Sequence, residues 1–183
     1  MQLLLLPGNS FHNKEWIEAI KAVLEDNFDL VKIQYYHHWE TGKGMIDFDF
    51  ELEELVKTAE DLKDYLIFGK SAGVLLALRA IYEKKIVPRK CIFVGSAVWW
   101  GKGLGLPLDL WLKNLTVPAL FIQKSYDPAI PFKELEKLLK VLKLKNFQLA
   151  EVPGNDHVYR ELHQLKSIVL PFLNITSEYA EQA

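Results

Sequence analysis

The chain has 183 residues, enough for one domain with its own hydrophobic core. Half of its residues are apolar, a quarter are charged, and the formal net charge is −2. This ordinary globular balance argues against nucleic acid or an anionic membrane as the main partner. A single cysteine, Cys91, excludes an internal disulfide, and no Cys/His cluster has zinc-like spacing.

Residues 3–6 form a short apolar run stopped by Pro7-Gly8, the pattern of a buried strand. The segment 1–8 lacks the positive leading region and the cleavage pattern of a secretion signal, and its apolar run is too short for one. No stretch approaches the roughly 20 apolar residues of a membrane span, so a cytoplasmic protein is expected. Trp16, Ile17, Ile20, Val23 and Leu24 then recur at helical spacing. Residues 30–35 read as a second strand and 37–44 as a polar loop. His37 and His38, being adjacent, do not make a metal site. Phe50, Leu52, Leu55, Val56 and Ala59 mark a helix. Residues 65–68 are a third strand and 74–82 the helix after it. Residues 91–94 and 119–123 are the fourth and fifth strands; the neighbours of Cys91 there make it a small buried hydrophobe. A helix over 132–144, a sixth strand over 147–152 and a closing helix over 158–173 complete the chain.

Short apolar strands alternating with helices predict a single three-layer α/β/α domain over 1–183. Its six-stranded sheet should be mostly parallel and buried on both faces, with right-handed crossovers. One connection is long. Residues 96–115 are rich in Trp and Gly and leave from the carboxyl end of a strand, where such sheets bind ligands. A short cap-like excursion is expected there.

Between the third strand and its helix stands Gly69-Lys70-Ser71-Ala72-Gly73, a G-x-S-x-G pattern. In that context the serine occupies a sharp turn that lifts its hydroxyl above the sheet, and the glycines let strand and helix approach. Ala72, next in line, offers a backbone N–H at a helix N-terminus, where a developing oxyanion is stabilised. A serine N-cap with convenient glycines is the other reading of the same five residues. A serine nucleophile needs a base, and the base needs an orienting carboxylate. Asp127 stands just past the fifth strand and His157 just past the sixth, in the order serine, acid, histidine. Asp156 competes for the acid's place, but side chains of adjacent residues aim poorly at each other.

With these residues in hand, the chain resembles the α/β-hydrolase-fold serine hydrolases over nearly its whole length. It is similar to their small, minimal members, such as the group of retinoblastoma-binding protein 9. The resemblance implies Ser71 as nucleophile, His157 as general base and acid, and Asp127 as orienting carboxylate. It also implies a second oxyanion N–H from the loop 5–10, at Asn9, with Ser10 as the runner-up. Two features depart from the family pattern. Pro7-Gly8 replaces a common His-Gly, and Lys70 stands where many relatives have histidine.

The implied reaction is hydrolysis of a carboxylic ester or thioester of small to medium acyl size, with no metal or organic cofactor. The substrate is a small molecule, and the protein is a monomer or a homodimer. Ser10, Phe11, His12, Lys70, Trp99 and Trp100 are candidate substrate contacts. Trp99 and Trp100 form an apolar wall with Leu104, Leu106 and Leu108, or else are core beneath a long loop. Lys70 either meets an acidic substrate or is solvated on the turn. A peptidase or acyltransferase would share the triad, and a non-catalytic scaffold would share the fold.

Overall fold

The computed structural model describes residues 1–42 and 44–175. Six strands, β1 (Gln2–Leu6), β2 (Leu30–Ile33), β3 (Tyr65–Lys70), β4 (Cys91–Val94), β5 (Ala119–Lys124) and β6 (Phe147–Val152), form one sheet in the order β2-β1-β3-β4-β5-β6. All five pairings are parallel, so no antiparallel strand is present in it.

Parallel pairing needs crossovers, and helices supply them on both faces. Within β1, Leu3 and Leu5 turn to one face, and Leu4 and Leu6 to the other. The first face packs against α1 (Asn13–Leu24) through Ile17 and Ile20, and against α8 (Leu162–Leu173) through Leu165 and Val169. The second packs against α3 (Phe48–Glu60), α4 (Ala72–Tyr82) and α7 (Phe132–Val141). Helix α4 is apolar nearly all round and almost wholly buried, as a central helix must be. Among the described residues no helix is long and apolar enough to cross a membrane.

The structure departs from the sequence expectation in four places. The polar loop after β2 contains a short helix, α2 (His37–Thr41), closed by Gly42 in the left-handed conformation. Tertiary bonds from its side chains, described below, hold a turn whose local sequence carries no helical period. Strand β2 stops at Ile33, two residues short of Tyr35. The last helix begins at Leu162 rather than 158, because Tyr159 takes a positive φ of 57° and breaks any helix there. Helix α7 ends at Val141, ahead of Lys143 at φ 54°. The segment after β4 folds into α5 (Val98–Gly103) and α6 (Leu108–Lys113); Leu108, Trp111 and Leu112 are buried, while Trp99 is half exposed.

The sheet's order reverses direction at β1, between β2 and β3. The crevice beyond the carboxyl ends of β1 and β3 is therefore the topological switch point, where such sheets bind ligands. Leu6 and Gly69 pair there, and α4 begins three residues later, at Ala72. A Cβ on Gly73 would fall inside the radius of the Leu6 carbonyl oxygen and 2.8 Å from Leu6 Cβ. On Gly69 it would meet α4 backbone at 3.1 Å. Gly73→Ala is expected to destabilise the protein by about 3 kcal/mol or more, and Gly69→Ala by about 1–2 kcal/mol, since backbone cannot step aside as a side chain can. Chemical denaturation of the two variants checks the order; equal, small losses would refute it.

Candidate active site

Ser71 links β3 to α4 with φ 54° and ψ −112°, a conformation that a non-glycine residue holds only when its surroundings enforce it. The enforcement is visible. Its N–H donates to the Val94 carbonyl of β4 at 3.1 Å, and Gly73 lets α4 start against β1. The result aims Ser71 Oγ out of the sheet, 2.9 Å from His157 Nε2.

His157 follows β6, and its Nδ1 lies 2.9 Å from both Asp127 Oδ1 and Oδ2. A carboxylate can only accept, so Nδ1 carries the proton and Nε2 is left to accept from the serine hydroxyl. Asp127 follows β5 and has no solvent exposure. A buried charge needs donors, and Asp127 has three besides its surroundings' weaker fields. His157 is one; the Ala129 N–H at 2.8 Å from Oδ1 and the Tyr159 hydroxyl at 2.8 Å from Oδ2 are the others. Gln123 ties the acid's loop down, its Nε2 donating to the Ile130 carbonyl and its Oε1 accepting from the Ser96 N–H. Asp156 is engaged elsewhere. It accepts from Lys124 Nζ at 2.8 Å and from the Val158 N–H, and these bonds, Lys124 first, hold its carboxyl below the usual range.

Three of the expected residues thus meet in one hydrogen-bonded chain. The others fall around it in different ways. As the first residue of α4, Ala72 has an N–H with no intrahelical acceptor. Asn9 follows the adjacent strand, and its loop is clamped from α2. Its carbonyl accepts from His38 Nε2 at 2.8 Å and Trp39 Nε1 at 2.9 Å, and its side-chain Oδ1 accepts from the Ile46 N–H at 2.7 Å. The buried Tyr36 hydroxyl donates to the Pro7 carbonyl at 2.7 Å. Ser10 and His12 are exposed at the start of α1. Phe11 is exposed and meets the Trp39 ring edge-on, with centroids 6.2 Å apart. Trp99 is half exposed, while Trp100 is partly buried against Phe48.

Lys70 is neither solvated nor directed at the crevice. It is 3% exposed, donates from Nζ to Asn13 Oδ1 at 2.9 Å and lies 5.3 Å above the Trp16 ring, on the α1 side of the sheet. Strand alternation explains the reversal: Ser71 is lifted at the strand's end, while its neighbour turns into the helical layer.

Sequence reasoning missed three contributors. Tyr159 and Gln123 read as ordinary residues flanking the histidine and the acid. Gly95 carried a signal that was open to use. It directly follows a buried strand and takes φ 58°, and a Cβ there would come within 2.7 Å of the Tyr159 ring and 3.1 Å of His157.

No known family model matches the chain, and no curated protein matches it by sequence. Solved structures do match. Est1E from Butyrivibrio proteoclasticus, determined with ferulic acid bound, is 16% identical, covers 94% of this chain and 88% of its own, and superposes with a TM-score of 0.73. A protein from Thermoplasma acidophilum described as a predicted CIB-like hydrolase is 19% identical over 94% of this chain and 85% of its own, with a TM-score of 0.68. A monoacylglycerol lipase from Paleococcus ferrophilus is 13% identical over 94% of each chain, with a TM-score of 0.61.

Burial lowers the Lys70 ammonium to about 8, with Asp127 opposing the shift and Lys124 adding to it. The folded protein therefore holds this proton less tightly than the unfolded chain. The resulting penalty is complete below about pH 8 and fades as pH rises toward the ordinary value of 10.5, so this group makes stability increase across that window. Lys70→Met is expected to stabilise the protein at pH 7 by about 1–3 kcal/mol and to flatten the increase. Denaturation from pH 7 to 10 measures it, and an undiminished slope in the variant would assign the increase to another group. The parallel sheet, its helical layers and the matching structures together identify the chain as one with the α/β-hydrolase fold.

Proposed function

We propose that the protein is a serine hydrolase that cleaves a carboxylic ester or thioester of small to medium acyl size. The observation that carries this reading is the chain from Ser71 Oγ through His157 to the buried Asp127, each link 2.9 Å long. The hydrolases among the structural neighbours support it, one described with ferulic acid and one as a monoacylglycerol lipase.

On this reading the reaction runs in two halves. Ser71 Oγ attacks the acyl carbon while His157 Nε2 takes its proton. The carbonyl electrons move onto oxygen, and the N–H groups of Ala72 and Asn9 stabilise the charge; one such donor is worth roughly 10²–10³ in rate. The oxyanion collapses, the bond to the leaving group breaks, and His157 returns the proton to the departing alcohol or thiol. Water then adds to the acyl-enzyme, giving its proton to His157, and release of the acid regenerates Ser71. Asp127 stays ionised throughout and stabilises the imidazolium each time it forms. The steps need neither a metal ion nor an organic cofactor.

Half-exposed Trp99, on the short helix α5 after β4, and exposed Phe11, in the turn after β1, are apolar surfaces beyond the carboxyl ends of the strands, suited to an acyl or alcohol group of modest length. The first test is intact mass after treatment with a fluorophosphonate probe. Wild-type protein is expected to take one label, and Ser71→Ala and His157→Ala none. Folded wild type that takes no label would remove the hydrolase reading. On an ester panel, Asp127→Asn is expected to lower kcat by roughly 10³–10⁴, because the histidine loses its tautomer and its counter-charge. A chain-length series peaking at long acyl groups would overturn the size assignment.

A further inference from the structure

We propose that Tyr159 is a positioning residue for the acid–base pair, its hydroxyl fixing Oδ2 of Asp127 so that the carboxylate faces His157. The inference rests on the hydrolase reading of the same site and extends it to a fourth side chain.

The argument begins with where the phenolic proton goes. Tyr159 Oη accepts from the Lys124 backbone N–H at 2.9 Å and lies 2.8 Å from Asp127 Oδ2. A backbone N–H can only donate, and a carboxylate can only accept. The hydroxyl proton is therefore committed to Asp127, with no choice of direction. A charge-assisted bond of this kind is about twice as strong as a neutral one. It acts in a buried setting, where both Tyr159 and Asp127 are shut from solvent. Burial and the Asp127 charge both drive the phenol's ionisation well above its ordinary range, which agrees with the hydroxyl acting as the donor.

Cost supplies the second argument. Tyr159 holds φ at 57°, a conformation that disfavours a bulky side chain by about 1–2 kcal/mol. Glycine or asparagine would satisfy the backbone more easily. The strain is sustained by contacts that all serve the ring's placement. Trp16 Nε1 donates to the Tyr159 carbonyl at 2.8 Å, the ring meets the His157 ring edge-on with centroids 6.2 Å apart, and Gly95 leaves the space a Cβ would fill. One residue thus touches both members of the pair, by hydroxyl on the acid and by ring edge on the base.

The test is Tyr159→Phe, which removes one oxygen and keeps the ring. It is read in three ways: the proton resonance of His157 Nδ1–H, steady-state kinetics on the best ester, and thermal melting. We expect the Nδ1 resonance to move, and kcat to fall about tenfold with KM within twofold, since one charge-assisted bond is lost next to the reacting pair. An unmoved resonance with unchanged kcat, whatever the melting temperature does, would make Tyr159 an ordinary core residue and overturn the proposal. Should the variant not fold, wild type decides. A Tyr159 hydroxyl proton slow to exchange with water supports the bond, and one as fast as a free phenol's overturns it. The resonance readouts do not need turnover. Wild type unlabelled by fluorophosphonate would end the hydrolase reading, while the shift in Tyr159→Phe would still report whether Tyr159 orients the pair.

Discussion

The contact on which the site depends is the approach of the α4 N-terminus to the end of β1. It is made of backbone against backbone, with Gly73 against the Leu6 carbonyl and Gly69 beneath the first turn. Close approach has two effects. It forces the strand-to-helix corner into one residue, which must take the strained conformation of Ser71. It also sets the positive end of α4 and the unpaired N–H of Ala72 against the loop that leaves β1. The placement of Ser71 and the electrostatic environment beside it are two aspects of a single packing decision.

The opposite side of the site is governed by a buried charge. Asp127 is closed off from water, and each of its oxygens has donors directed at it. This contrasts with Asp156, one residue before the histidine, which is half exposed and paired to Lys124. The two carboxylates differ in environment rather than in chemistry. The buried one is held rigidly by backbone, phenol and imidazole; the exposed one helps shape the turn that delivers His157. Lys70 packs with Trp16 and Asn13 of α1, and its cost in stability is borne behind Ser71.

Much of this was legible in the amino-acid order, for physical reasons. The inner strands β1, β3, β4 and β5 are largely apolar because both their faces are covered, and turn residues bracket them, so strand number and parallel pairing could be read. Ser71, Asp127 and His157 each stand one to five residues past a strand end, where the topology gathers them. What stayed hidden depends on tertiary contact. Nothing local in His37–Thr41 has a helical period; the helix exists because His38 and Trp39 reach the Asn9 carbonyl. Tyr159 looks like the start of a helical pattern, and only its positive φ reveals that it belongs to the loop. A lysine at a turn is usually solvated, but Lys70 continues the Leu66–Phe68 face of β3 and so enters the α1 layer.

The serine and its base are 86 residues apart in the chain, with β4, β5 and β6 between them. Ser71, Ala72 and Asn9 belong to the first half of the chain, Asp127 and His157 to the second. During synthesis the serine therefore leaves the ribosome long before its partners, on a strained corner that no packing yet enforces. An isolated hydroxyl is chemically inert toward acyl groups. On the proposed function, that hydroxyl gains its base only when the edge strand β6, with His157 past its end, has joined the sheet.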